Sequence, residues 1–272
     1  MSTPGTRLTR TVTTRRTALI TGASSGFGSL FAERFAADGF DVVLVARSVE
    51  PMETLADRIR SRNAVQVAVI GHDLAEPGAT ASLVAELAGR GLTVDALVNN
   101  AGFSTYGPFA DTGEATMTKM LMVNVVAMTA LARACLPGML ERRWGRVLLL
   151  GSVGSFSPAP MTAAYGASKA YVLSLGLALH DELKGSGVTV TTLCPGPTAT
   201  GFQERADMHD SALVRSGLDS AETVVDKGYA AMKAGRPYLV TGTTSRLFAF
   251  GTRFLPRTTA AGIAGNAQRR VG

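Results

Sequence analysis

Apolar residues fall along this chain in two alternating patterns. Continuous, largely β-branched runs at 17–21, 41–46, 65–70, 94–98, 146–150, 188–193 and 237–241 predict short strands. Such runs, without polar alternation, suit strands covered on both faces, as in a parallel sheet. Between them the spacing turns helical, from the glycine-rich turn at 22–28 through Asp38, then over 51–61, 77–89, 114–140 and 165–184. Strands alternating with helices predict an α/β fold: a doubly wound parallel sheet of about seven strands flanked by helices. Past residue 242 the alternation ends. There Leu247, Phe248, Phe250, Phe254 and Leu255 interleave with Arg246 and Arg253, predicting a short basic amphipathic helix over 245–255 that Pro256 stops.

A length of 272 residues can bury a large core, and α/β folds of this size are commonly one domain. The expected segments are a disordered basic tail at 1–16, a folded domain at 17–242 and a basic amphipathic extension at 243–272. The tail lacks the apolar stretch of a secretory signal. Nowhere is there an unbroken apolar run of about 18 residues, so no transmembrane helix is expected. Cys135 and Cys194 stand in apolar contexts without metal-ligand spacing, which suits reduced, buried thiols, a cytoplasmic location and no metal site.

The net charge of +6 hides an uneven distribution. Residues 1–32 carry Arg7, Arg10, Arg15 and Arg16 and no acid, and eight basic residues follow Asp226, again with no acid. The middle holds all 21 acidic residues against 15 basic ones. An acidic core without a recognition motif argues against nucleic acid as a partner. Basic ends suit an anionic lipid surface, an acidic carrier protein or a solvated tail.

Candidate chemistry starts at the first strand. It runs into Gly22-Ala-Ser24-Ser25-Gly26-Phe27-Gly28 and then a helix. Glycines let the backbone approach a pyrophosphate, and the helix N-terminus offers free N–H groups and a positive dipole end. The strand before and the helix after give this glycine pattern its context, a Rossmann-like nucleotide site. The second strand ends in Ala46-Arg47-Ser48 where an NAD-preferring fold places an acid. An arginine there suits a 2′-phosphate, so NADP(H) is the expected cofactor, with Ser48 adding a hydrogen bond. Asp73 and Leu74 follow the third strand at its ligand-binding end; His72 reads as a surface residue there, and His180 as one on its helix.

Tyr165 and Lys169 are spaced i,i+4, so on a helix they share one face. An ammonium beside a phenol favours the phenolate and lowers the tyrosine pKa from about 10 toward the working pH of an acid/base catalyst. Ser152, ahead of a Gly/Ser/Pro-rich loop, can donate a second hydrogen bond to a substrate oxygen.

In chain order, Thr21-Gly22-x-x-x-Gly26-x-Gly28, Asp73, Asn99-Asn100-Ala101-Gly102, Asn124, Ser152, Tyr165-x-x-x-Lys169 and Pro195-Gly196-x-x-x-Thr200 resemble the short-chain dehydrogenase/reductase family over about residues 16–242. The resemblance implies Tyr165 as general acid in carbonyl reduction and base in alcohol oxidation, and Ser152 as the group that orients the carbonyl. It implies that Lys169 tunes the tyrosine and binds the nicotinamide ribose, and that Asn124 holds a water in a proton relay from Lys169 to solvent. Asp73 is implied at the adenine, Asn100 with Ala101 and Gly102 near the ribose, and Pro195, Gly196, Thr198 and Thr200 at the nicotinamide amide and phosphates. A homo-oligomer assembled through the long helices around Asn124 and Tyr165 is also implied. Phe27 stands where the family usually has Ile, and Gly151 where a Ser is common; Ser155 competes with Ser152 as the site hydroxyl.

Phe103–Phe109, the segment 153–162 and a lid at about 201–220 are the expected substrate walls. Phe103, Tyr106, Pro108, Phe109, Phe156, Pro158, Pro160 and Met161 suggest an apolar ketone, aldehyde or alcohol. The extension is expected to pack on its own domain or a sister subunit, to cover the substrate mouth, or to touch an anionic membrane. Two other readings remain: a 3-oxoacyl carrier-protein reductase recruited by the basic ends, and a non-catalytic NADP(H)-binding regulator.

Overall fold

The computed structural model describes residues 15–198, 200 and 219–268. Its strands are β1 (Thr17–Thr21), β2 (Asp41–Ala46), β3 (Val67–Gly71), β4 (Ala96–Asn99), β5 (Gly145–Leu150), β6 (Val188–Cys194) and β7 (Tyr238–Val240). They form one parallel sheet in the order β3-β2-β1-β4-β5-β6-β7. From β1 the chain winds outward to β3, then returns to lay β4 on the other side of β1. That reversal opens a crevice at the carboxyl ends of β1 and β4, where ligands bind in such sheets.

Helices α1 (Gly26–Ala37), α2 (Val49–Arg62), α3 (Ala79–Gly89), α4 (Glu114–Leu121), α5 (Met128–Glu141), α6 (Ala163–Glu182) and α7 (Ala221–Lys233) cover the two faces. Successive strand residues point to opposite sides. Ile20 and Leu44 meet Phe31, Phe35 and Met52 in one core. Leu19 and Val43 meet Leu83, Leu131 and Met139 in the other. Leu19 is fully buried, so shortening it to Ala costs about 2–5 kcal/mol. Phe35 is further held edge-on by Phe40 at 5.1 Å and Tyr229 at 4.9 Å.

Three features depart from the sequence expectations. The helix foreseen at 114–140 is broken by a π turn, Met122–Ala127, which turns Val123 and Asn124 inward. By length and apolarity alone Glu114–Glu141 could cross a bilayer, yet Val123, Met128, Leu131 and Met139 bury its inner side against the sheet. Arg16, expected in the tail, stacks over Trp144 at 3.8 Å. Pro256 ends no structure: α8 (Thr243–Gly251) is followed by a second helix, α9 (Arg257–Gln268). Residues 1–14 and 269–272 lie outside the described residues, as do 201–218 of the expected lid.

Gly176 sets the height of α6 above the sheet. A Cβ there would lie 1.9 Å from Thr192 Oγ1, so only glycine permits this approach to β6. The same helix carries Tyr165 and Lys169, and its depth fixes where they emerge.

Candidate active site

The loop between β1 and α1 is shaped by close backbone approach. Gly22 has φ +65°, and a side chain there would meet Asn100 Nδ2 at 2.8 Å. A Cβ on Gly28 would stand 2.1 Å from the Gly22 carbonyl oxygen. Thr21 ties this loop to the next strand end, its hydroxyl oxygen accepting from the backbone N–H of Asn100 at 3.0 Å and of Ala101 at 2.9 Å. Asn100 returns the tie by donating its side-chain amide to the Thr21 carbonyl at 2.9 Å. Ser25, at the N-cap of α1, makes no capping bond with its side chain, so the first helical N–H groups stay available at the loop.

A cavity of about 930 Å³ runs from this loop along the carboxyl edge of the sheet. Its walls include Gly22, Ser25, Gly26, Phe27, Arg47, Asp73, Leu74, Asn100, Ala101, Gly102, Ser152, Tyr165, Lys169, Pro195, Gly196, Thr198 and Thr200. Residues more than a hundred positions apart therefore converge as the sequence predicts. Thr200 packs over the glycine loop, its Cβ 3.4 Å from where a Gly26 side chain would begin. Arg47 is exposed at the rim, and among the described residues no carboxylate pairs with it.

Four predicted residues are not in the wall. Ser24 is half-buried within the loop, Gly28 is buried in the first turn of α1, and Ser48 is an exposed N-cap of α2. Asn124 is wholly buried, and its side chain is engaged by other residues. Its amide donates to the Phe103 carbonyl at 2.9 Å and to Ser168 Oγ at 3.2 Å, while its Oδ1 accepts the Phe103 N–H at 3.1 Å. That side chain fixes the strand-end loop rather than facing a ligand.

Ser152 and Tyr165 are hydrogen-bonded to each other. Ser152 Oγ also accepts the Gly154 N–H at 3.0 Å, which leaves its own proton to donate. Ser155 is spent on structure. Its hydroxyl donates to the Lys169 carbonyl at 2.8 Å and accepts the Ser152 N–H at 3.2 Å, bracing the serine loop against α6. Lys169 is almost fully buried and donates to the Leu150 carbonyl at 2.7 Å, with Nζ 5.7 Å from the centre of the Tyr165 ring.

This geometry reverses the expected tuning of the tyrosine. Burial pushes the Tyr165 phenol up to about 12; its bond with Ser152 pulls the other way but does not prevail. Burial likewise pushes Lys169 down to about 8. The ammonium is committed to a backbone carbonyl, and desolvation dominates at both groups. At neutral pH the site holds a protonated phenol backed by a protonated amine.

Gly151 has a local explanation. A Cβ there would lie 2.9 Å from Cys194 Sγ and 3.1 Å from Thr192 Cγ2, so the space a serine would take is filled from β6. Cys194 is buried and its thiol is pushed up to about 12 by that burial. His180, expected at the surface, is half-buried with Nδ1 at 3.0 Å from the Val190 carbonyl.

The far end of the cavity differs most from expectation. Phe103 and residues 153–162 contribute, but through Val153, Gly154, Ser157, Ala159 and Thr162. Tyr106, Pro108 and Met161 line a separate hollow, Phe156 packs on Tyr238, and Phe109 is exposed. Phe248 of α8 and Ile263, Ala264, Ala267 and Gln268 of α9 take their places. Gln268 is latched at both ends: its Oε1 accepts Thr162 Oγ1 at 2.9 Å, and its carbonyl accepts the Tyr106 hydroxyl at 2.5 Å. Sequence reasoning missed α9 because its alanines and glycines give no apolar stripe, and it missed Lys119 at the rim because a lone lysine carries no signal.

A glycine-bounded loop, an uncapped helix start and a proton donor in one crevice define a nucleotide-dependent oxidoreductase. The sequence profile of the short chain dehydrogenases matches residues 16–210, and the chain belongs to that family. It is 37% identical over 175 residues to a very-long-chain 3-oxoacyl-CoA reductase of Aspergillus clavatus, covering 64% of this chain and 51% of that one. It therefore spans about half the length of that relative. Identity is also 37% over 205 residues with sulfoacetaldehyde reductase 2 of Chromohalobacter salexigens, covering 75% of this chain and 77% of that one. Among solved structures, a Sphingobium yanoikuyae short-chain dehydrogenase in complex with NADPH superposes with a TM-score of 0.77 at 34% identity, covering 88% of this chain and 94% of that one.

Proposed function

We propose that this oxidoreductase uses NADP(H) to interconvert a hydrophobic ketone or aldehyde and its alcohol. The observation that carries the reading is one continuous cavity. It has a glycine cradle and Arg47 at one end, Ser152, Tyr165 and Lys169 in the middle, and an apolar chamber under α8 and α9 at the other. The cradle fits a dinucleotide: Gly22 and Gly28 let the loop fold closely on itself and on Asn100, and the uncapped start of α1 leaves its N–H groups open toward the cavity. Backbone N–H groups at Ser25–Phe27 would hold the pyrophosphate, with Arg47 on the ribose 2′-phosphate. Asp73 and Leu74 would border the adenine, Gly102 and Lys169 the second ribose, and Pro195 to Thr200 the carboxamide. The nicotinamide, when bound, supplies or accepts the hydride.

The protein's own residues manage the proton. In reduction, Tyr165 Oη gives its proton to the carbonyl oxygen as the π pair collapses onto that atom. Ser152, its acceptor side held by Gly154, donates to the same oxygen and stabilises charge developing there. Lys169 stabilises the phenolate left behind. Oxidation reverses each transfer, with Tyr165 taking the alcohol proton. Asn124 holds the backbone of Phe103 beside Gly102 and Lys169.

The relatives named above reduce, by their names, a long acyl substrate and a small sulfonated aldehyde. The lining of the chamber supports the apolar end of this range. Phe103, Val123, Ala159, Phe248, Ile263, Ala264 and Ala267 give it an apolar wall, and apart from the residues already placed at the cofactor and catalytic positions its charged lining among the described residues is His72, Lys119 and Asp219. The test is NADPH and NADH consumption by the purified chain with aliphatic, aromatic, steroidal, 3-oxoacyl thioester and sulfonated carbonyls. Turnover of bulky apolar ketones with NADPH is expected; preference for the sulfonated aldehyde would overturn the substrate assignment.

A further inference from the structure

Helix α8, the turn after it and α9 present apolar side chains to the cavity and also to the surface. Phe248 and Ile263 line the chamber, while Leu247 is 68% exposed, Phe250 59% and Phe254 73%. The rings of Phe250 and Phe254 meet at 5.3 Å, so they form a ridge rather than scattered side chains. Ile263 belongs to both faces: it lines the cavity and remains 46% exposed. Single exposed apolar residues are ordinary, but three large ones within eight positions are not.

The ridge is rimmed by positive charge. Arg246, Arg253 and Arg257 are exposed beside it, and among the described residues none of the three pairs with a carboxylate. No Asp or Glu occurs between residues 227 and 272. An apolar crest with a cationic border is complementary to the interface of an anionic bilayer. It is poorly matched to a second copy of itself, because a two-fold contact would set the arginines of one copy against those of the other.

We propose that the α8–α9 ridge docks this protein on an anionic membrane surface. Leu247, Phe250 and Phe254 enter the headgroup boundary and Arg246, Arg253 and Arg257 contact lipid phosphate. Docked this way, the protein holds Ile263 and the cavity mouth at the interface, where a hydrophobic ketone partitions. That last clause rests on the proposed function; the docking does not.

The test is flotation of the full chain with phosphatidylcholine vesicles, with and without about one third phosphatidylglycerol, at low salt. The wild type should float with the anionic vesicles and stay behind with the neutral ones. Replacing Arg246, Arg253 and Arg257 by Gln should weaken partitioning about fivefold per arginine, and F250D/F254D should abolish it. All six positions of crest and rim are at the surface, so both variants should melt with the wild type by circular dichroism. Flotation unchanged in both variants, or absent from anionic vesicles, would overturn the docking surface. A change in oligomeric state in F250D/F254D without lost flotation would assign the ridge to a second copy instead. None of these readouts uses turnover, so a wrong substrate class would leave them unaffected.

Discussion

Restoring the family's serine at position 151 should destabilise this protein. Gly151 follows β5, its N–H donates to the Leu193 carbonyl at 2.7 Å, and its backbone is not among those with positive φ. A side chain is therefore conformationally acceptable, and replacing glycine would gain about 0.4–1 kcal/mol by restricting the unfolded chain. Space is the obstacle. The new Cβ would meet Cys194 Sγ at 2.9 Å, Thr192 Cγ2 at 3.1 Å and the Leu193 carbonyl oxygen at 3.3 Å, all on a strand that cannot withdraw from α6. Overpacking of this kind costs about 1–3 kcal/mol. With the middle of each range the net loss for Gly151→Ser is about 1.3 kcal/mol, a fall in Tm of about 3–5 °C for a domain of this size. The assay is thermal unfolding of wild type, G151S, C194A and the double variant. Removing Sγ opens the site, so G151S should cost at least about 0.5 kcal/mol less in the C194A background. A G151S protein that melts with the wild type, or a cost unaltered by C194A, would refute the steric argument.

Other outcomes follow from the same coordinates. With the Tyr165 phenol pushed up to about 12, alcohol oxidation should keep rising through the alkaline range. Reduction should decline above about pH 8, where Lys169 loses its proton. An oxidation profile that levels near neutrality would show that burial does not control the phenol. Arg47→Asp should move the preference from NADPH toward NADH, read as the ratio of kcat/KM values, and an unchanged ratio would remove the 2′-phosphate assignment. Ala267→Trp should fill the chamber beneath α9 and raise KM for bulky ketones more than for small ones; equal effects would mean that α9 does not bound the substrate.

Much of the sheet was legible because both faces of its inner strands are buried, which leaves continuous apolar runs in the sequence. The runs at 17–21 and 41–46 match β1 and β2 residue for residue. The site motifs were legible for a related reason: glycine at 22 and 28 and the Tyr165–Lys169 spacing are demanded by local geometry. What stayed hidden depends on tertiary partners. No local pattern distinguishes the π turn at Met122–Ala127 from the helix around it, although it is what buries Asn124. The phenol's raised pKa arises from burial among residues distant in the sequence, whereas i,i+4 spacing shows only the lysine. Helix α9 is built of small residues that fit under the cavity and carry no stripe, so its role as a wall appears only once Gln268 meets Thr162 and Tyr106.

The central claim is that Tyr165 moves the proton while the rest of the crevice binds the nucleotide. Its most direct test is Tyr165→Phe, with NADPH binding measured by fluorescence beside turnover of the best ketone. The account predicts NADPH affinity within about twofold of wild type and turnover lower by about 10²–10⁴-fold, the usual worth of a positioned general acid. Turnover retained within tenfold, with binding intact, would contradict it.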